Sequence, residues 1–182
     1  VVTFPGSNCN HDMIYALGKI LEQEVTELWH KEKDIKNCEL IVLPGGFSYG
    51  DYLRSGAIAR FSPIMKEVVR HAQKGGLVLG ICNGFQILCE AGLLPGALIR
   101  NDCLEFRCVN QKVKVVDSND RFNPAKLGSE LVIPIAHGEG NYRLKSAELD
   151  KLESNNQVLL RYDDNPNGSI NDIAGIRNEQ GN

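Results

Sequence analysis

Two short, continuously apolar runs, each halted by glycine, constrain this chain more than any other feature. Leu40-Ile41-Val42-Leu43 stops at Pro44-Gly45-Gly46, and Leu77-Val78-Leu79 stops at Gly80. A strand that is apolar at every position has no solvated face, so it belongs inside a parallel sheet covered on both sides. Such strands need crossover helices, and the sequence supplies helical spacing between them. Ile58, Phe61, Met65, Val68, Val69 and Ala72 predict a helix over Ala57 to Lys74, closed by Gly75-Gly76. Ile14, Leu17, Ile20 and Leu21 predict another over Asp12 to Gln23, Val25 to Trp29 reads as a strand, and Phe85, Ile87, Leu88 and Ala91 predict a short helix ending at Gly92. The expected class is α/β: a mostly parallel open sheet with helices on both faces.

After Gly92 the pattern changes. Leu104-Glu105-Phe106-Arg107-Cys108 and Val113-Lys114-Val115 alternate apolar with polar, which predicts some antiparallel strands in the C-terminal half. Leu131 to Ile135, Val158 to Tyr162 and Ile173 to Ile176 read as further strands, Ala147 to Leu152 as a helix, and Asp117 to Ser129 as an exposed loop. Asn165-Pro166-Asn167-Gly168 predicts a turn. At 182 residues a single domain spanning 1–182 is expected. Val1 to Phe4 resembles the end of a strand, and Asn178 to Asn182 is turn chemistry with no strand after it. A slightly shortened N-terminus and a missing C-terminal segment are the expectation from these two ends.

Composition excludes several function classes. The charge balance of 20 Lys+Arg against 23 Asp+Glu carries no basic footprint, so no nucleic-acid partner is expected. No apolar run approaches the roughly 18 residues of a membrane span, and no membrane role is expected. The six cysteines show neither CxxC pairs nor a Cys/His cluster, so no metal site and no disulfide framework are expected. Reduced thiols fit a cytoplasmic protein, and core packing is the expectation for every cysteine except Cys82.

Three glycine-flanked segments could carry chemistry. Gly80-Ile81-Cys82-Asn83-Gly84 places a cysteine between a strand and a helix, where a tight turn exposes a nucleophile and the helix N-terminus lowers its pKa. The pattern alone is equally compatible with a buried cysteine beside a glycine turn. Leu43-Pro44-Gly45-Gly46-Phe47-Ser48-Tyr49-Gly50-Asp51 follows a neighbouring strand, either as half of an oxyanion hole or as a plain connection. Ala136-His137-Gly138-Glu139-Gly140 fits a substrate-facing loop or a surface turn. His30 and His71 read as ordinary strand-end or helix residues, and His11 beside Asp12 as a helix cap.

Together with Phe4-Pro5-Gly6-Ser7-Asn8-Cys9, Gly84-Phe85-Gln86 and Asn167-Gly168-Ser169, these motifs resemble one family across essentially the whole chain. It is the glutaminase subunits of phosphoribosylformylglycinamidine synthase, class I glutamine amidotransferases of purine biosynthesis. The resemblance implies hydrolysis of L-glutamine to glutamate and ammonia through a thioester on Cys82. It implies an oxyanion held by the backbone N–H groups of Gly46 and Asn83, and glutamine contacts from Gln86, His137 and Gly138. The subunit itself would carry no cofactor. ATP and Mg would be used by a partner synthetase subunit that amidates formylglycinamide ribonucleotide, and a small third subunit is expected. The family's C-terminal Pro-His-Pro-Glu motif, whose histidine and glutamate complete the triad, has no counterpart in these residues. Its roles do not transfer to His137 and Glu139, and weakened activity is expected of the chain as written. Two rivals stay open: a docking subunit without turnover, and a cysteine hydrolase or thiol-stress protein on the same fold.

Overall fold

The computed structural model describes residues 1–116 and 129–181. They form two compact units, Val1–Leu93 and Leu94–Gly181. The predicted loop at Asp117 to Ser129 lies, but for Ser129, outside the described residues.

In the first unit the strands are parallel. β1 (Val2–Thr3) pairs with β2 (Leu28–Trp29), and β3 (Leu40–Leu43) pairs in register with β4 (Leu77–Gly80). Ile41, Val42 and Leu43 are buried, as the continuous apolar run predicts, whereas Leu40 at its start is 38% exposed. α2 (Pro63–Gln73) packs against β4 and buries Ile64, Met65 and Val68, which repeat at one-turn spacing and have essentially no exposed surface. α3 (Asn83–Glu90) adds Ile87 and Leu88.

Several element boundaries differ from the sequence reading. The predicted Ala57–Lys74 helix is a 3₁₀ turn at Ala59–Phe61 followed by α2. Pro63 sets that break, because the residue before a proline is driven out of the α region, and Ser62 sits at φ −59°, ψ 141°. Phe61 therefore points outward, 72% exposed, instead of joining the core. α1 (Asn10–Tyr15) starts earlier than predicted and runs into a π-helical turn at Ala16–Ile20, where the widened ladder rotates Ile20 and Leu21 into solvent. Its N-cap is Cys9 with no side-chain cap bond, so His11 does not cap it. β2 keeps only two of the five predicted residues.

The second unit is antiparallel. Four strands lie in the order β10 (Ile173–Ile176), β9 (Val158–Tyr162), β6 (Arg107–Val115), β7 (Glu130–His137). The two short strands expected around Phe106 and Val113 are one continuous β6. A separate pair, β5 (Ala97–Ile99) with β8 (Asn141–Arg143), was not foreseen. α4 (Ser146–Ser154) packs Leu152 inward, and Val113, Tyr142, Val158 and Ile173 are among the other buried residues of this unit. The α/β class, with parallel strands first and antiparallel strands in the C-terminal half, agrees with the sequence pattern.

Candidate active site

Cys82 stands where β4 gives way to α3. Its backbone is left-handed, φ 53° and ψ −108°, a conformation that a side-chain-bearing residue adopts only when the surroundings impose it. The surroundings are two close backbone approaches. A β-carbon at Gly84 would meet the carbonyl oxygen of Leu43 at 1.9 Å, and one at Gly80 would meet the Gly84 oxygen at 2.6 Å. The flanking glycines thus make room for α3 against β3, while the strain resides in the cysteine. Ile81 N–H donates to the Leu43 carbonyl (3.0 Å) and Gln86 N–H to the Cys82 carbonyl (3.1 Å), fixing the turn on both sides. The result is an exposed thiol at the N-terminus of a helix, where the macrodipole favours a thiolate.

The turn after β3 packs against this corner. The β-carbon position of the buried Gly45 lies 3.4 Å from Cβ of Cys82 and 3.6 Å from Sγ of Cys9. Gly46 has φ +118°, and a β-carbon there would come within 2.5 Å of Asn8 Oδ1, so only glycine fits. One side chain ties the turn to the helix. Asn83, 1% exposed, accepts the Ser48 N–H through Oδ1 (3.2 Å) and donates through Nδ2 to Gln86 Oε1 (2.9 Å). Cys82, Asn83, Gln86 and the Gly45-Gly46 turn are therefore brought together.

The same loop is pinned at its far end. Tyr49, left-handed at φ 56°, hydrogen-bonds through its hydroxyl with His30 Nδ1 (2.7 Å) and Ser62 Oγ (2.8 Å), and its N–H donates to the Pro5 carbonyl (2.6 Å). Burial, with a contribution from Lys31, holds the His30 pKa below its usual value, so the ring is neutral at pH 7. His30 is buried and holds a loop, a role its sequence position beside a strand end did not signal.

His137 and Gly138 lie in the second unit, at the end of β7. Asn101, fully buried, clamps this turn from both ends: Nδ2 donates to the His137 carbonyl (3.0 Å), Oδ1 accepts the Gly140 N–H (2.9 Å), and its own N–H donates to the Gly138 carbonyl (2.9 Å). Asn167 Nδ2 donates to the Gly140 carbonyl (2.9 Å) and lies 3.4 Å from His137 Nε2. Burial lowers the His137 pKa, opposed by its own backbone, which keeps the ring neutral at pH 7. Sequence reasoning missed Asn8, Tyr49, Asn101 and Asn167. Asn8, Tyr49 and Asn167 sit inside quoted motifs and could have been weighed, whereas nothing in the sequence around Asn101 marks it.

Among the cysteines, Cys89 is buried and its thiol is pushed up to about 12 by desolvation and Glu90, as core packing expects. Cys9 and Cys38 are half-buried, and Cys103 and Cys108 are exposed, so the core expectation fails for those last two, which sit in or beside the solvated β6. No group of three or more potential metal ligands occurs among the described residues.

Comparison with known proteins matches residues 1–182 to the CobB/CobQ-like glutamine amidotransferase domain. Phosphoribosylformylglycinamidine synthase subunit PurQ of Moorella thermoacetica is 55% identical over all of this chain and 81% of its own length. The PurQ subunit of Synechococcus elongatus is 57% identical over all of this chain and 83% of its own. The solved structure of PurLQS from Thermotoga maritima superposes with TM-score 0.89 at 44% identity, covering all of this chain and 81% of that one. A glutamine amidotransferase from Thermotoga maritima, at 20% identity and TM-score 0.53 over 74% of this chain and 57% of that one, shares the fold.

Proposed function

The chain belongs to the CobB/CobQ-like glutamine amidotransferase family, and from that membership we infer that it is the glutaminase subunit of phosphoribosylformylglycinamidine synthase. It hydrolyses L-glutamine and supplies ammonia for converting formylglycinamide ribonucleotide to formylglycinamidine ribonucleotide in purine biosynthesis. The identity of more than half of all positions to PurQ subunits supports this reading. The observation that carries the chemistry is the left-handed, exposed Cys82 at the start of α3, beside the Gly45-Gly46 turn.

The Cys82 thiolate attacks the side-chain amide carbon of glutamine. The oxygen becomes an oxyanion taken up by the backbone N–H groups of Gly46 and Asn83, two donors whose relative position the Asn83 side chain fixes through Ser48. The C–N bond breaks, ammonia leaves with a proton, and a thioester remains; water then releases glutamate and the thiolate. Gln86, held by the Asn83 side chain, contacts the bound glutamine. The two units act as parts of one glutamine amidotransferase domain, which the family match across 1–182 supports. The ammonia passes to a synthetase subunit that uses ATP and Mg, and a small third subunit completes the complex. The naming of PurLQS supports a multi-subunit assembly. No helix among the described residues is long and apolar enough to cross a membrane, and the site of action is the cytoplasm.

The test is labelling of the full-length protein with an electrophilic glutamine analogue, followed by peptide mapping and a glutamate-release assay of Cys82→Ser. The expected result is a single adduct on Cys82, blocked by excess glutamine, with turnover in the variant reduced at least 10³-fold and the fold intact by circular dichroism. An adduct elsewhere, or an active Cys82→Ser, overturns the reading in favour of a docking subunit or another thiol chemistry.

A further inference from the structure

A second thiol adjoins the site, and glutamine hydrolysis gives it nothing to do. Cys9 ends the Pro5-Gly6-Ser7-Asn8 loop, immediately before α1, and offers no cap bond to that helix. Its Sγ is 3.6 Å from the point where a β-carbon of residue 45 would stand, and Cβ of Cys82 is 3.4 Å from the same point. The two cysteines therefore flank one buried glycine, with the Cys9 sulfur within about 7 Å of the Cys82 β-carbon. Bridged cysteines have β-carbons roughly 3.5–4.5 Å apart, a separation reached by a shift of the short Pro5–Asn8 loop, with side-chain rotation then turning the two sulfurs toward each other. Both are thiols here, not a disulfide.

Their environments differ in the way a redox pair requires. Cys82 is exposed at a helix N-terminus, which favours the reactive thiolate. Cys9 is half-buried, and desolvation together with Asp12 pushes its pKa up, so it waits as a protonated thiol. Cys89, buried inside α3 with its thiol pushed up to about 12, is no competitor.

We propose that Cys9 is the resolving thiol of Cys82: a hydroperoxide oxidises Cys82, and Cys9 then closes a reversible Cys9–Cys82 disulfide that stops glutamine hydrolysis. In the first step the Cys82 thiolate takes an oxygen from the hydroperoxide, forming a sulfenic acid and releasing hydroxide or alkoxide. In the second the Cys9 sulfur attacks the Cys82 sulfur, the S–O bond breaks, and the Cys9 proton leaves with the hydroxyl as water. A dithiol reverses the bridge. The disulfide preserves Cys82 from the irreversible sulfinic state, at the cost of temporary silence. The proposal rests on the reading of Cys82 as the nucleophile.

The experiment exposes the full-length protein to hydrogen peroxide, blocks remaining thiols by alkylation, and maps peptides without reduction. A Cys9–Cys82 linked peptide pair is expected, with glutaminase activity lost more than tenfold and restored by dithiothreitol. Cys9→Ala should keep basal turnover within about twofold, yet its peroxide inactivation should resist dithiothreitol, with Cys82 recovered as sulfinic acid; Cys9→Ser replaces it if the alanine variant is unstable. Oxidised wild type with Cys82 over-oxidised and unlinked overturns the proposal. So does a Cys9 variant rescued by dithiothreitol as fully as wild type. Mapping reads the bond independently of turnover. A linked pair in a protein that never hydrolysed glutamine upholds the thiol pair and overturns the glutaminase reading, whereas an active enzyme with no linkage overturns the pair alone.

Discussion

Replacing Gly84 with alanine would set a methyl group 1.9 Å from the Leu43 carbonyl oxygen, a backbone atom of β3 that cannot turn aside. Separating α3 from the strand should cost on the order of 3 kcal/mol. Gly75→Ala makes the contrast, since nothing lies within 4 Å and the only penalty is the left-handed φ of +85°, worth about 1–2 kcal/mol. Urea denaturation of both variants checks this, and equal losses would show that close approach is not what Gly84 provides. At this scale the candidate site was partly legible. Cys82 could be singled out because glycines bracket it between an apolar run and a helical period. Asn101 could not, because a buried asparagine that clamps a turn is written like any exposed one, and only the fold decides which carbonyls it meets.

Elements show where legibility stops. β3 and β4 were readable because a doubly covered strand is apolar at every residue. β5 and β8 were not, since three-residue strands such as Asn141-Tyr142-Arg143 bury one large side chain and carry no period. The connection after β9 was readable as a turn but not as a support. There Asn167 accepts the Ser169 N–H (3.0 Å) and hydroxyl (2.8 Å) on Oδ1 while donating to Gly140. Asn167→Ala leaves the buried Ser169 N–H without its acceptor, whereas the Ser169 hydroxyl still donates to the Gly140 carbonyl (3.1 Å), a loss of about 1–3 kcal/mol. Hydrogen exchange reads it locally: the Ser169 amide should exchange at least tenfold faster than in the parent. Unchanged protection there would mean that the turn holds without its asparagine.

For the molecule as a whole, two histidines set the response to mild acid. His30 and His137 both have folded pKa values below 6.5, chiefly through burial. The unfolded chain therefore binds more protons than the folded one below that pH. Their neutral state contributes full stability above about pH 6.5, and that contribution is lost progressively as the pH falls towards the lowered values. The carboxylates held low by hydrogen bonds, Glu27 by Thr3 and Asp163 by Lys114, give way only at lower pH. Thermal midpoints should thus decline between pH 7 and 5.5, and His30→Gln should flatten part of the decline. A slope unaffected by that substitution would place the sensitivity elsewhere.

The two Asn-Gly steps of the chain, Asn83-Gly84 and Asn167-Gly168, also bear on how the protein ages. Spontaneous deamidation begins when the glycine amide nitrogen attacks the preceding asparagine carboxamide. Here both asparagines are buried, and both glycine nitrogens are already engaged, Gly84 with the Ile81 carbonyl (2.9 Å) and Gly168 with Asn165 Oδ1 (2.8 Å). The folded chain withholds its two most perishable peptide bonds from that reaction. An isoaspartate at either step would then record time spent unfolded, a chemical clock that runs only when the structure opens.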